Sequence, residues 1–215
     1  FNSIHTIKKS PKGIYVVCTS VDSIVEIDPI NPEKNIWEWI GPEHGFKISP
    51  KGILVNIDRD KNYQIAGSIG SSHQATHING VESIDERYIL ATLFHQDKLI
   101  KIDKHTGNYE VVFDKLTNPH GIHKTEDGYI VSDTRGNRVI FLDNNFKETQ
   151  TLEGYFDWVQ DAIVSDNHII VANDNRGRID IFSRDLEMID QIIWNTDHRM
   201  ISGMYEITAG QAIEA

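Results

Sequence analysis

Apolar residues recur along this chain in short runs separated by polar turns. The runs Ile14-Tyr15-Val16-Val17, Ile53-Leu54-Val55, Tyr88-Ile89-Leu90, Tyr129-Ile130-Val131 and Ile169-Ile170-Val171 are β-branched or aromatic, the composition of strands. Each follows a turn: Ser10-Pro11-Lys12-Gly13, Ser49-Pro50-Lys51-Gly52, Asp85-Glu86-Arg87, Glu126-Asp127-Gly128 and Ser165-Asp166-Asn167. Pro presets φ there, and Gly or Asn tolerates positive φ. An alternating stretch precedes each turn, so residues 5–17, 44–56, 79–91, 120–132 and 161–173 stack as one repeated unit. A third strand is predicted over 24–28, 99–103, 139–143 and 179–183, and a fourth over 37–40, 110–113, 149–152 and 191–194. The second unit is poorer: beyond 63–66 it offers only Gly/Ser-rich chain.

The unit starts, 5, 44, 79, 120 and 161, lie about 40 residues apart. Four strands at that period are the signature of a β-propeller. The expectation is one all-β domain over 1–215, with six blades, the last begun near Ser202-Gly203 and incomplete. Five blades plus a tail is the alternative.

Composition narrows the function classes. The formal net charge is −11, which argues against nucleic acid and anionic membrane as partners. No apolar run reaches the length of a membrane helix. The single cysteine, Cys18, excludes an internal disulfide. A soluble protein is expected, with the cytoplasm favoured; the chain begins at Phe1, which leaves a targeting segment upstream open.

In a propeller the first strand of each blade lines the central channel. Loops before strand one and after strand two share one face. The residues opening the inner strands are then His5, His44, Asn79, His120, Asp161 and Ser202 or Gly203. Histidine supplies 10 of 215 residues but three of these six positions. Converging imidazole and carboxylate groups suit a divalent cation, although polar strand starts also serve simply to hydrogen-bond loop backbone. A two-residue slip in the third unit would exchange His77 for Asn79. Asp58, Arg59, His95, Asp97, Asp133, Arg135, Asn173 and Arg176 stand around the rim. His120 and His123 fall on opposite strand faces, and His120 is the one assigned to the channel. Tyr155, Phe156 and Trp158 either wall a pocket or pack between blades, the commoner fate of such rings. Trp37 and Trp39 read as structural or surface residues, with no functional role.

Asn118-Pro119-His120-Gly121-Ile122-His123, followed by the run from Asp127 to Asp143, resembles the NHL repeat. It equally resembles the blades of the SMP-30/gluconolactonase family. The likeness spans roughly residues 76–194 and specifies fold better than function. It implies a divalent metal at the channel mouth. Asn79-Gly80 matches the family's Asn-Gly pair. Pro119-His120-Gly121 matches its Pro-Asp-Gly triplet with His for Asp. The family's N-terminal Glu ligand has no secure counterpart, with His5 or Glu43–His44 nearby. Imidazole ligands favour Fe, Mn or Zn over Ca.

The expected function is a metal-dependent hydrolase, lactonase-like, or lyase acting on a small oxygenated metabolite. His5, His44, Asn79, His120 and Asp161 are the metal candidates. His77 or His95 would be the general base, with Arg135 or Arg176 holding an anionic group. The rival is a non-catalytic NHL-type propeller that binds a protein or glycan, for which Phe94, Phe156 and Trp158 would supply the surface. The oligomeric state is open.

Overall fold

The computed structural model describes residues 3–63, 67, 69–193 and 204. It is built from four antiparallel sheets. The first holds β1 (Ile4–Lys9), β2 (Ile14–Cys18), β3 (Ser23–Ile27) and β4 (Asn35–Ile40). The second holds β5 (Ile78–Ser83), β6 (Tyr88–Leu93), β7 (Lys98–Asp103) and β8 (Tyr109–Phe113). The third holds β9 (Ile122–Lys124), β10 (Gly128–Asp133), β11 (Arg138–Asp143) and β12 (Glu148–Glu153). The fourth holds β13 (Val159–Ser165), β14 (His168–Asn173), β15 (Arg178–Ser183) and β16 (Met188–Ile193). In each, neighbours in sequence are neighbours in the sheet.

The blades stack face to face. Tyr15, Val17, Ile24 and Trp39 of the first pack on Ile78, Val81, Ile89 and Ile100 of the second. Leu90 and Leu99 pack with Ile122, Val131 and Ile140 across the next interface, and Ile130 and Val139 with Val159, Val171 and Phe182 across the third. Alternation therefore works twice in each strand, since both faces of an inner blade meet a neighbour.

The described residues hold four blades, not the six expected or the alternative five. The expected second unit makes none. Residues 41–77 carry a 3-10 turn at Gly41–His44, another at Ser71–His73 and an isolated bridge between Ile48 and Leu54. The physical reason is that the first blade already lies against β5, so no slot remains between them. Ile53 and Leu54 stay exposed at 43% and 66%. The start expected at Ser202-Gly203 lies outside the described residues. Among the described residues no helix is long and apolar enough to cross a membrane.

One buried ion pair hooks the first two blades together. Glu26, wholly buried, accepts hydrogen bonds from Ser10 Oγ and Lys104 Nζ, each at 2.5 Å. Lys104 also donates to the Tyr15 hydroxyl at 3.0 Å and lies over the rings of Tyr15 and Trp37. Trp37 Nε1 donates to Lys104 O at 2.9 Å, and Trp39 Nε1 to Gly107 O at 3.1 Å. Both tryptophans are thus structural, as expected.

Lys104→Met leaves Glu26 charged and unpaired in the interface. It should lower stability by about 3–5 kcal/mol in chemical denaturation, and adding Glu26→Gln should recover most of that. An unchanged denaturation midpoint in Lys104→Met would contradict the pair's role.

Candidate functional site

Every inner strand begins in the same way. A residue in left-handed backbone comes first: Ser3 (φ 50°), His77 (φ 48°), Asn118 (φ 49°) and Trp158 (φ 67°). An apolar residue or proline follows. Next comes a bulge in which two inner-strand residues face one on strand two. The pairs are His5/Thr6 against Val17, Asn79/Gly80 against Thr92, His120/Gly121 against Ser132, and Gln160/Asp161 against Ala172. The first members, His5, Asn79, His120 and Gln160, form one layer around the channel. The second members are Thr6, Gly80, Gly121 and Asp161.

This corrects two expected placements. Asp161 belongs one residue further along than His5, Asn79 and His120, and Gln160 takes the equivalent position. The bulge carries an extra residue that hydrophobic alternation cannot register. His44 is not on an inner strand at all. It ends the 3-10 turn at Gly41–His44, stacks on Trp39 with ring centroids 5.0 Å apart, and covers Gly107. The Gly80 and Gly121 positions have no room for a side chain: a Cβ would lie 2.6 Å from His120 O and 1.9 Å from Asp161 Oδ1.

Side chains from each blade position the start of the next. Asp22, just before β3, is wholly buried. Its carboxylate accepts from the N–H groups of Ala75, Thr76 and His77 and from Thr76 Oγ1, at 2.6–3.0 Å. Asp97 accepts the Asn118 N–H at 2.7 Å, and Asn137 accepts the Trp158 N–H at 2.8 Å. Asp97, expected at the rim, is therefore a clasp between blades.

Four imidazoles meet at the mouth. The His5 ring lies 5.5 Å from His77 and 6.2 Å from His120, and His77 lies 5.1 Å from His95. Phe94 sits among them, 5.0 Å from both His77 and His120. Trp158 closes the other side, 5.8 Å from His120, with the exposed Arg135 guanidinium over its face at 5.7 Å. Trp158 walls the site, whereas Phe156 packs on Phe182 in the core and is buried. Arg176 lies exposed in the 3-10 turn Asp174–Arg176.

The hydrogen bonds fix three tautomers. Thr134 Oγ1 donates to Val159 O at 2.6 Å, so it accepts from His120 Nδ1–H at 2.8 Å. Gln74 Oε1 accepts from His77 Nδ1–H at 2.5 Å. Both rings are left with an unprotonated Nε2. His95 Nε2–H donates to Ser71 O at 2.8 Å, which leaves its Nδ1 bare. Burial, then the neighbouring imidazoles, push His77 down to about 3. Burial and His5 do the same to His120, against the opposing pull of Asp161. Burial also lowers His5.

A second layer, unforeseen in the sequence, lies three residues beyond His5, Asn79 and His120. Lys8 pairs with Glu82, donates to Ile122 O at 3.2 Å and reaches His123 Nδ1 at 3.0 Å. An ammonium only donates, so His123 carries its proton on Nε2 and gives it to Asp161 Oδ1 at 2.9 Å. Asp161 also accepts from the N–H groups of Ala162 and Met204. His123, which alternation turned away from the channel, is a member of this layer. The repeat alignment would have exposed it, had the next ring been read down from the first.

These placements do not assemble the expected metal centre. His44 lies elsewhere and the Asp161 carboxylate is committed to three donors. Among the described residues, no group of three or more His, Cys, Asp or Glu side chains could hold a metal ion.

No family model and no curated protein matches the sequence, so the NHL and SMP-30/gluconolactonase resemblance gains no support. Solved structures do match. Virginiamycin B lyase from Staphylococcus aureus superposes with a TM-score of 0.55 at 13% identity, over 90% of this chain and 56% of that one. A streptogramin B lyase gives 0.56 at 12%, over 91% and 56%. A Bacteroides caccae protein of unknown function gives 0.56 at 9%, over 88% and 60%. The fold is a β-propeller. The chain spans little more than half the length of the lyases it matches, and at these identities the likeness concerns fold alone.

The depressed histidines make stability depend on pH. A neutral folded His77 or His120 binds fewer protons than its unfolded counterpart between about 3 and the ordinary 6.5. Stability should therefore fall as pH drops through 6.5 toward 3, by at most about 1.4 kcal/mol per pH unit for each ring. Urea midpoints at neutral pH and pH 5 measure this, and His120→Gln should flatten the slope. A slope of the opposite sign, or none, would refute the burial argument.

Proposed function

We propose that this propeller is a lyase-type enzyme that acts on a small oxygenated metabolite, using neutral imidazoles at the channel mouth as acid–base groups. The observation that carries the reading is the fixed tautomer of His77, which holds an unprotonated Nε2 among His5, His95 and His120. The fold neighbours add support, since two are lyases. A catalytically inactive variant of the S. aureus lyase, altered from His to Ala at one position, holds quinupristin.

In the proposed step, His77 Nε2 takes a proton from a carbon next to a carbonyl. The released electron pair forms a C=C bond, and the oxygen on the adjacent carbon leaves with its bonding pair. That oxygen receives the proton back from the imidazolium, so atoms and charge balance. Gln74 holds the ring through its Nδ1–H. The low proton affinity of buried His77 favours rapid return of the proton, and the developing negative charge on substrate raises that affinity during the step. Arg135, beside Trp158, would hold an anionic end of the substrate, with Arg176 the more distant candidate. The binding-propeller alternative loses two of its three surface residues, because Phe94 and Phe156 are buried.

A screen of 3-oxygenated carbonyl compounds, read by the ultraviolet absorbance of the unsaturated product, tests this. His77→Gln should lower kcat by roughly 100-fold or more, and Arg135→Ala should raise KM while sparing kcat. Turnover that survives His77→Gln undiminished would end the proposal.

A further inference from the structure

Two buried acceptors of the mouth meet no donor among the described residues. Asn79, in the same layer as His5 and His120, is 2% exposed, and its Oδ1 has no hydrogen-bond partner among the described residues. Its orientation is set by its own amide, which donates to Pro119 O at 3.4 Å. His120 adds an unprotonated Nε2. Four donors near the mouth are committed: His77 Nδ1–H to Gln74, His120 Nδ1–H to Thr134, His95 Nε2–H to Ser71 O, and Trp158 Nε1–H to Gln160 at 2.9 Å. A buried acceptor without a donor is costly, and a ligand that supplies one recovers the cost.

A hydroxyl brings one donor and can satisfy only one of these two acceptors, whereas an ammonium brings several donors and can satisfy both. The aromatic faces of Phe94 and Trp158, and the formal charge of −11 on the chain, both suit a cation. We infer that the ligand of this mouth carries an organic ammonium group, held by Asn79 Oδ1 and His120 Nε2 beside the rings of Phe94 and Trp158. The inference rests on the mouth being the ligand site, and it narrows the substrate class to amine-bearing compounds. His77 Nε2 is left free for the carbon-bound proton, and Arg135 for an anionic group at the far end.

Calorimetric titration of the whole chain with benzylammonium and with benzyl alcohol at neutral pH reads this without turnover. Its result therefore stands apart from that of the elimination screen. The amine should bind at least about tenfold more tightly than the alcohol, a difference of about 1.4 kcal/mol. Asn79→Asp, which keeps the side-chain size and adds a charge, should tighten amine binding about tenfold further. Asn79→Leu, confirmed folded by circular dichroism, should abolish the preference. Equal binding of amine and alcohol, no amine binding, or a preference that persists in Asn79→Leu would overturn the inference. So would one equivalent of Zn²⁺ bound by wild type and lost in Asn79→Leu, since that assigns Oδ1 to a metal.

Discussion

Neighbouring blades of this propeller are joined by a side chain that crosses from one to the backbone of the next. Asp22, Asp97 and Asn137 each occupy left-handed backbone just ahead of the third strand of their blade. Each accepts the N–H of the residue that opens the next inner strand: His77, Asn118 or Trp158. Both partners hold a conformation that non-glycine residues adopt only when something compensates the strain. A short hydrogen bond, to a carboxylate in two of the three cases, supplies that compensation. The equivalent position in the fourth blade is Gly177, which has no side chain to offer. Where the clasp exists, it fixes the height of the inner strand. The residues two positions on, Asn79, His120 and Gln160, are aligned as a consequence. The site is therefore a product of blade stacking, and no single blade could form it.

Much of this was legible in the sequence, and the limits have physical causes. The strand runs and the repeat were readable because sheet faces alternate with period two and the turns between them use Gly, Pro, Asn and Asp. Residues 44–56 mimic a unit in those same terms, with Ser49-Pro50-Lys51-Gly52 and Ile53-Leu54-Val55 in the right order. They lack a place in the stack, and pattern alone carries no information about that. The bulges were equally hidden, because an extra residue shifts the register by one without disturbing the apolar run that follows. Hence His5, Asn79 and His120 were placed together while Asp161 was set one residue out of register. The tautomers of His77 and His120 depend on Gln74 and Thr134 together with Val159 O, contacts that only the folded chain displays.

The channel separates neutral from charged chemistry by depth. At the mouth stand His5, His77 and His120, imidazoles whose burial disfavours protonation. Below them, Glu82, Lys8, His123 and Asp161 form a chain of charged and polar groups in which each donor has an acceptor. This lower layer satisfies its own charges, as partly buried ions must. It leaves the upper layer with acceptors whose partners have to arrive from outside. The buried acceptor of Asn79 and the bare nitrogens of His77 and His120 are the counterpart of that saturation.

In the proposed elimination, depth would also suit the mouth to proton transfer rather than to tight charge binding of its own. A general base must be unprotonated before substrate arrives, and burial among other imidazoles enforces this for His77. It must also gain proton affinity as reaction proceeds, which happens when negative charge develops nearby in a site partly shielded from water. A histidine in open solvent would meet only the first condition, and only above its ordinary pKa. A histidine already paired with a carboxylate, as His123 is with Asp161, has its proton committed and would fail as an acceptor. His77 lies between these extremes because Asp22 holds its backbone and Gln74 its Nδ1–H, while Nε2 has no hydrogen-bond partner among the described residues. In the proposed reaction, the clasp that orders the blades would thus also leave His77 as the imidazole free to react.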